Sequence, residues 1–283
     1  LYSLFVLALA RKELSACSFR LFIGEKPLLP QTIEDLSTEV TEDELNEAFI
    51  DEWGVKYSKD GRKLLKAPQG LKGNYSVKVG TRIICDDAFS KCSFLTSIVI
   101  SNSVVSIGDG AFSGCTSLSS IVIPDSMTSI GSGAFWGCCS LSNVVVPDSV
   151  TSIGNGAFRS CSSLSNVIIP NSVTSIGNGT FYGCRSLSNI GIPSCVTNIA
   201  NFLFCGCRSL SDIVIPDSVT SIGIGAFSNC RFLSNIVIPD SVTNIRRGAF
   251  YKCNLPYRLE QNLISHFGNE LFKFPLQIPG YKS

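Results

Sequence analysis

The chain has 283 residues, 45% of them hydrophobic, which excludes disorder throughout and suffices for one or two compact domains. Lysine and arginine total 23 against 22 acidic residues, a formal charge of +1, so no global field recruits nucleic acid or an anionic membrane. Charge is uneven locally: residues 34–52 hold nine acids and no base, while 56–82 hold eight bases and one acid, Asp60. These stretches read either as neighbouring faces that attract or as two separate solvated surfaces.

In chain order, residues 1–30 form an N-terminal segment of uncertain structure. Its first ten residues, LYSLFVLALA, are mostly apolar and end in Ala8-Leu9-Ala10, which resembles the apolar region and small-residue cleavage site of a truncated secretory signal. The run lacks a basic start and is too short to span a bilayer; a fragmentary or buried N-terminal segment is the alternative. No other stretch reads as transmembrane. Residues 31–74 are expected to be an N-terminal cap. Thr41-Glu42-Asp43-Glu44 has the capping-box form, with Leu45, Ala48 and Phe49 following on one helical face, and 55–65 reads as a hairpin around Asp60-Gly61.

Residues 75–253 repeat. Phe89 recurs as Phe112, Phe135, Phe158, Phe181, Phe204, Phe227 and Phe250, always 23 residues on, and Cys92 recurs in step as Cys115, Cys138, Cys161, Cys184, Cys207, Cys230 and Cys253. One unit reads LSSIVIPDSMTSIGSGAFWGC over 118–138. Ile121 and Ile123 flank Val122, so alternation along a short strand turns them to one face and Val122 to the other. Pro124 ends the strand because it has no N–H for a further ladder bond. Gly131 and Gly133 permit a bend, under which Phe135 inserts its ring. A Gly-x-Gly can suggest a phosphate loop, but here it recurs from unit to unit as part of the turn. One unit buries too little apolar surface to offset its ordering entropy, so eight coils must stack in parallel and share their apolar edges.

Units such as Ile-Pro-Asp-Ser-Met-Thr-Ser-Ile-Gly-Ser-Gly-Ala-Phe at 123–135 and the matching run from Val146 resemble BspA-like leucine-rich repeats, a type associated with bacterial and protist surface proteins. The resemblance implies an α/β repeat solenoid: a right-handed leucine-rich-repeat superhelix with a concave parallel β-sheet, capped at both ends. It further implies a surface protein used in adhesion or protein binding, and carries over no catalytic residues.

Beyond the repeats, residues 254–283 are expected to form a C-terminal helical cap and tail. Pro256 opens a segment with Leu259, Leu263, Ile264 and Phe267 on one face before Gly268 ends it. The tail, 269–283, contains Pro275 and Pro279 and reads as irregular.

The chemistry in the sequence is sparse. Eight of the 13 cysteines share one repeating apolar position; in-register stacking sets their Cβ atoms farther apart than a disulfide needs, so they read as free, buried thiols. Cys205-Gly206-Cys207 and Cys138-Cys139 lack the spacing of a thiolate zinc site, so neither metal nor cofactor is expected. Cys17 and Cys195 fit no column, and Cys85 stands at the place of the first turn glycine. The one histidine, His266, lies on the C-terminal helix; a hydrolase using it is a remote reading.

Two columns stand out as candidate binding residues. The first sets Val99, Val122, Val145, Ile168, Gly191, Val214 and Val237 beside Ser97, Ser120, Asn143, Asn166, Asn189, Asp212 and Asn235. On the expected concave sheet it offers apolar area beside amides, or it reflects strand propensity alone. The second holds Arg185, Arg208 and Arg231 on successive coils. It reads as a basic ledge for a carboxylate-rich protein or acidic glycan, with Arg159 nearby, or as a solvated column. The side chains after each Phe, among them Trp136, Arg159 and Tyr182, vary, and read either as candidates for selectivity or as drift. The sequence thus points to a non-enzymatic binding or adhesion module at the cell surface or secreted, with an intracellular scaffold as the alternative.

Overall fold

A computed structural model describes residues 37–274. The apolar run at 1–10, the acids Glu34 and Asp35, Cys17 and the tail beyond 274 lie outside the described residues.

Each coil contributes two short strands, except the one between Ile168 and Asp212, which lacks the first, and like strands of neighbouring coils pair in parallel within each unbroken stretch. The first ladder comprises Gly73–Ser76, Leu95–Val99, Ser120–Ile121, Asn143–Val145, Asn166–Ile168, Asp212–Val214 and Asn235–Val237. Its register is one whole repeat, with Val144 opposite Val167 and Ile213 opposite Ile236. The second ladder is built from two-residue strands such as Ser129–Ile130, Ser152–Ile153 and Ser175–Ile176, again 23 residues apart. Alternation holds on the first ladder: Ile121 and Ile123 are buried, whereas Val122 points out.

The apolar columns form one continuous core. The eight phenylalanines stack from Phe89 to Phe250, with centroids 5.0 Å apart at Phe89–Phe112 and 5.8 Å at Phe158–Phe181. Beside them runs a ladder of thiols. Cys115 donates to the carbonyl oxygen of Phe89 (3.1 Å), Cys161 to that of Phe135 (3.1 Å) and Cys230 to that of Phe204 (3.0 Å). No disulfide is needed, and burial pushes these thiols up: Cys92 to about 11 and Cys253 to about 12, each from 9.0.

The sequence reading expected an α/β solenoid; the repeats are instead a β-solenoid, and their Gly-x-Gly-Ala-Phe segments are turns. The hydrogen bonds show why. The N–H groups of Gly110, Phe112 and Gly114 donate across to Ser132, Ala134 and Trp136, while those of Ala111, Ser113 and Cys115 close three-residue turns on Gly108, Gly110 and Phe112. An α-helix would need every N–H to bond four residues back. Gly110 and Gly114 also sit at φ 62° and 74°, outside the helical region. The first glycine of each pair serves close approach instead: a Cβ on Gly154 would lie 2.6 Å from the Ser132 nitrogen.

Before the repeats, α1 (Glu42–Asn46) starts with the expected capping box, Thr41 and Glu44 each bonding the other's backbone N–H. It is too short to align Leu45 with Phe49, which stands in the strand Phe49–Ile50. That strand pairs antiparallel with Lys56–Tyr57, which pairs with Lys63–Lys66 as the expected hairpin. Lys63 meets Glu44 at 2.8 Å and Lys59 meets Glu47 at 3.3 Å, so the acidic and basic stretches do touch.

After them, α2 (Tyr257–Phe267) packs Leu263, Leu259 and Phe267 onto the core and ends at Gly268. Residues 269–272 are not irregular. The 3-10 helix Asn269–Phe272 takes the place of a further turn: Gly248 donates to Glu270, Phe250 donates to Leu271, and Phe272 extends the aromatic column at 6.2 Å from Phe250.

Candidate functional site

The outer face of the first ladder collects the predicted aliphatic column. Val99, Val122, Val145, Ile168, Val214 and Val237 are between 53% and 75% exposed, each on or at the end of a first-ladder strand and flanked by residues that are buried or, at Ile169 and Ile238, half-buried. Because the register repeats by 23, these side chains form one straight stripe. Gly191 holds the same place in its coil and leaves a gap.

Beside the stripe, the expected polar column is also exposed, apart from the half-buried Ser97, and the structure extends it by one coil, since Asn74 pairs with Ser97. Some of its groups are bound to each other. Asn74 accepts from Ser97 at 2.8 Å, and Asn235 donates to Asp212 at 2.9 Å. Bonds from Ser211 and Asn235 hold the Asp212 carboxyl below the usual carboxylate range. Asn166 and Asn189 make no side-chain hydrogen bond among the described residues.

Arg185, Arg208 and Arg231 are exposed, one per coil, and none forms an ion pair among the described residues. Arg159 belongs to another column: its guanidinium lies 5.4 Å from the Trp136 ring centroid and 4.5 Å from that of Tyr182, a cation–π arrangement across three coils.

Several residues weighed for chemistry acquire structural places. His266 is exposed, with Nδ1 2.8 Å from the Asn262 carbonyl oxygen. Cys195 does fit a column: it stands where Ser172 and Ser218 donate to Val150 and Val196 one coil back. Isoleucine-proline spacing on both sides of Cys195 could have revealed this. Among the described residues, no three His, Cys, Asp or Glu side chains converge on a metal position. No helix among them is long and apolar enough to cross a membrane.

A stripe, an amide column and in-register coils of 23 residues are now joined to a family match. The model of the BspA type leucine-rich repeat region matches residues 82–209 and 151–276, in six copies. The chain belongs to this BspA-type leucine-rich-repeat family. Its fold is similar to that of a leucine-rich repeat protein from Bacteroides ovatus (29% identity, TM-score 0.64), with 73% of this chain and 55% of that one covered. It is also similar to the leucine-rich repeat protein TpLRR of T. pallidum (28% identity, TM-score 0.56), with 77% and 91% covered. The chain thus spans about half the length of the first of these relatives. None of the curated proteins matches it.

Proposed function

We propose that this BspA-type chain is a non-enzymatic binding module of a cell-surface or secreted protein, and that it takes a protein partner on the outer face of the first ladder. The exposed stripe from Val99 to Val237 carries this reading. A regular row of β-branched side chains 53% or more exposed leaves apolar area in water that a partner would cover. The amides of Asn143, Asn166, Asn189 and Asn235 supply hydrogen-bonding groups along its edge, as binding surfaces require. The arginine ledge at Arg185, Arg208 and Arg231 adds attraction for carboxylates of the partner, or for an acidic glycan. In this reading the face is the concave side of a right-handed superhelix, 75–253 is the repeat domain, and the elements of 31–74 and 254–283 are caps covering its two open ends.

Surface placement rests on the association of BspA-type repeats with surface proteins. An intracellular scaffold is the alternative, and antibody staining of intact cells separates the two. To test the binding face, the chain and a Val122→Asp, Val145→Asp variant are passed over immobilised extracellular-matrix proteins and uronate-rich glycans. Binding by the chain that drops about tenfold or more in the variant, with unchanged unfolding, supports the face. Undiminished binding by the variant refutes it.

A further inference from the structure

We propose that the gap at Gly191 is a notch that seats one aromatic side chain of an acidic, extended protein segment; the proposal rests on reading the stripe as a protein-binding face. Six coils present a β-branched residue at this place, and the coil between Ile168 and Val214 presents none. The backbone does not require the glycine. Gly191 is not among the residues with left-handed φ, and a Cβ there would meet nothing within 4 Å. At the turn glycines the opposite holds, as at Gly177, where a Cβ would fall 2.5 Å from the Asn155 nitrogen.

The same coil interrupts the ladder. Asn166–Ile168 pairs only with Asn143–Val145, Asp212–Val214 only with Asn235–Val237, and no strand forms at 189–191. No backbone hydrogen bond from the N–H groups of 189–192 reaches either neighbouring coil. A second interruption, between Ser120–Ile121 and Asn143–Val145, keeps both of its outward valines. Among the described residues, only the Gly191 coil therefore lacks both ladder and side chain.

The walls of the notch are Ile168, 53% exposed, and Val214, 72% exposed. They stand two coil steps apart, roughly 9.5 Å at parallel-strand spacing, which leaves one coil's thickness between them. The interior of the molecule shows what fits that thickness: one aromatic ring per coil, at centroid spacings of 5.0 to 5.8 Å. Around the notch, the Asn166 and Asn189 amides and the peptide groups of 189–191 have no partner among the described residues, so a peptide backbone could bond to them.

The charge of the occupant follows from the arginines. Arg185 lies six residues before Gly191 in the same coil, and Arg208 holds the same place in the next. Six extended residues span at most about 20 Å. A segment with an aromatic side chain in the notch and carboxylates about six residues away satisfies the apolar walls, the amides and the guanidinium groups together.

The test uses fluorescein-labelled dodecapeptides containing four glutamates and one phenylalanine, separated by two to eight residues, with anisotropy as the readout. The chain should prefer the peptide with about six-residue separation. Gly191→Val should weaken it about tenfold or more, with the thermal unfolding midpoint unchanged, because the added side chain enters open space. Replacing the peptide phenylalanine by alanine should weaken binding to the chain but cause no further loss on Gly191→Val, as expected for a coupled pair. Equal binding by Gly191→Val and the chain, or no binding of any peptide by the chain, overturns the notch. Loss only in the Arg185→Glu, Arg208→Glu, Arg231→Glu variant also overturns it, in favour of a polyanion surface. If Val122→Asp, Val145→Asp abolishes binding while Gly191→Val does not, the face stands and the notch fails; if neither variant matters, both fail.

Discussion

The thiol of Cys138 donates to the carbonyl oxygen of Phe112, one coil back, across 3.2 Å. The same oxygen accepts the N–H of Cys115 in its own coil at 3.1 Å, so one acceptor closes a turn and joins two coils. Repeated along the molecule, this bond explains why cysteine is retained at a position where a small apolar residue would pack. Cys161→Ala removes the bond to Phe135 and leaves a small void, and should cost about 1–2 kcal/mol in urea unfolding. An unchanged midpoint would show that the thiol ladder contributes nothing.

Burial sets a pH limit. Cys92 is pushed up to about 11 and Cys253 to about 12, so the folded chain keeps these thiols neutral where an unfolded chain, near 9.0, ionises. Their contribution is complete below about pH 9 and is lost as pH rises through those raised values. Denaturant unfolding at pH 7, 9 and 10 should show a fall beginning above pH 9. Native alkylation mapped by mass spectrometry should mark the exposed Cys139 and Cys195 and spare the column thiols.

Two glycine classes should respond oppositely. Gly154→Ala forces a Cβ against the backbone of Ser132 and should cost about 3 kcal/mol, whereas Gly191→Ala should stay within about 0.5 kcal/mol. Thermal melts of the two variants check this; similar costs would mean that the coils do not approach as closely as described.

At the N-terminal end, burial raises the Glu44 carboxyl, but the bonds from Lys63 and Thr41 outweigh it and leave the group below the usual 4.5. A lowered carboxyl contributes stability above its ordinary value and loses it as pH falls through the lowered one. Melts between pH 7 and 3 should lose part of their acid sensitivity in Glu44→Gln. Thr41→Ala should cost about 1 kcal/mol at neutral pH through the lost cap.

The constant 23-residue step made the first ladder legible, because equal spacing leaves a single register in which Phe112, Phe135 and Phe158 stack. It also made the outward stripe legible, since alternation around Val122 has only two solutions and Ile121 and Ile123 settle which one. The second ladder was not: a two-residue strand such as Ser152–Ile153 is too short to show a period. Nor was the helix-free turn, whose cause lies in bonds between coils that one unit cannot show. The docking of Asn269–Phe272 escaped because Phe272 follows Phe250 by 22 residues rather than 23. The break at 189–191 was visible only as a glycine in a column of valines.

Strict alignment of the coils underlies the core, the stripe and the notch alike, and amide hydrogen exchange measured by NMR tests it most directly. The N–H groups of Phe112, Phe135, Phe158, Phe181, Phe204 and Phe227 each donate to the next coil, at 2.7 to 3.0 Å. They should exchange slowly and as one class, while the N–H groups of 189–191 exchange fast. Fast or scattered rates among those phenylalanines would mean that the coils are not bonded in register.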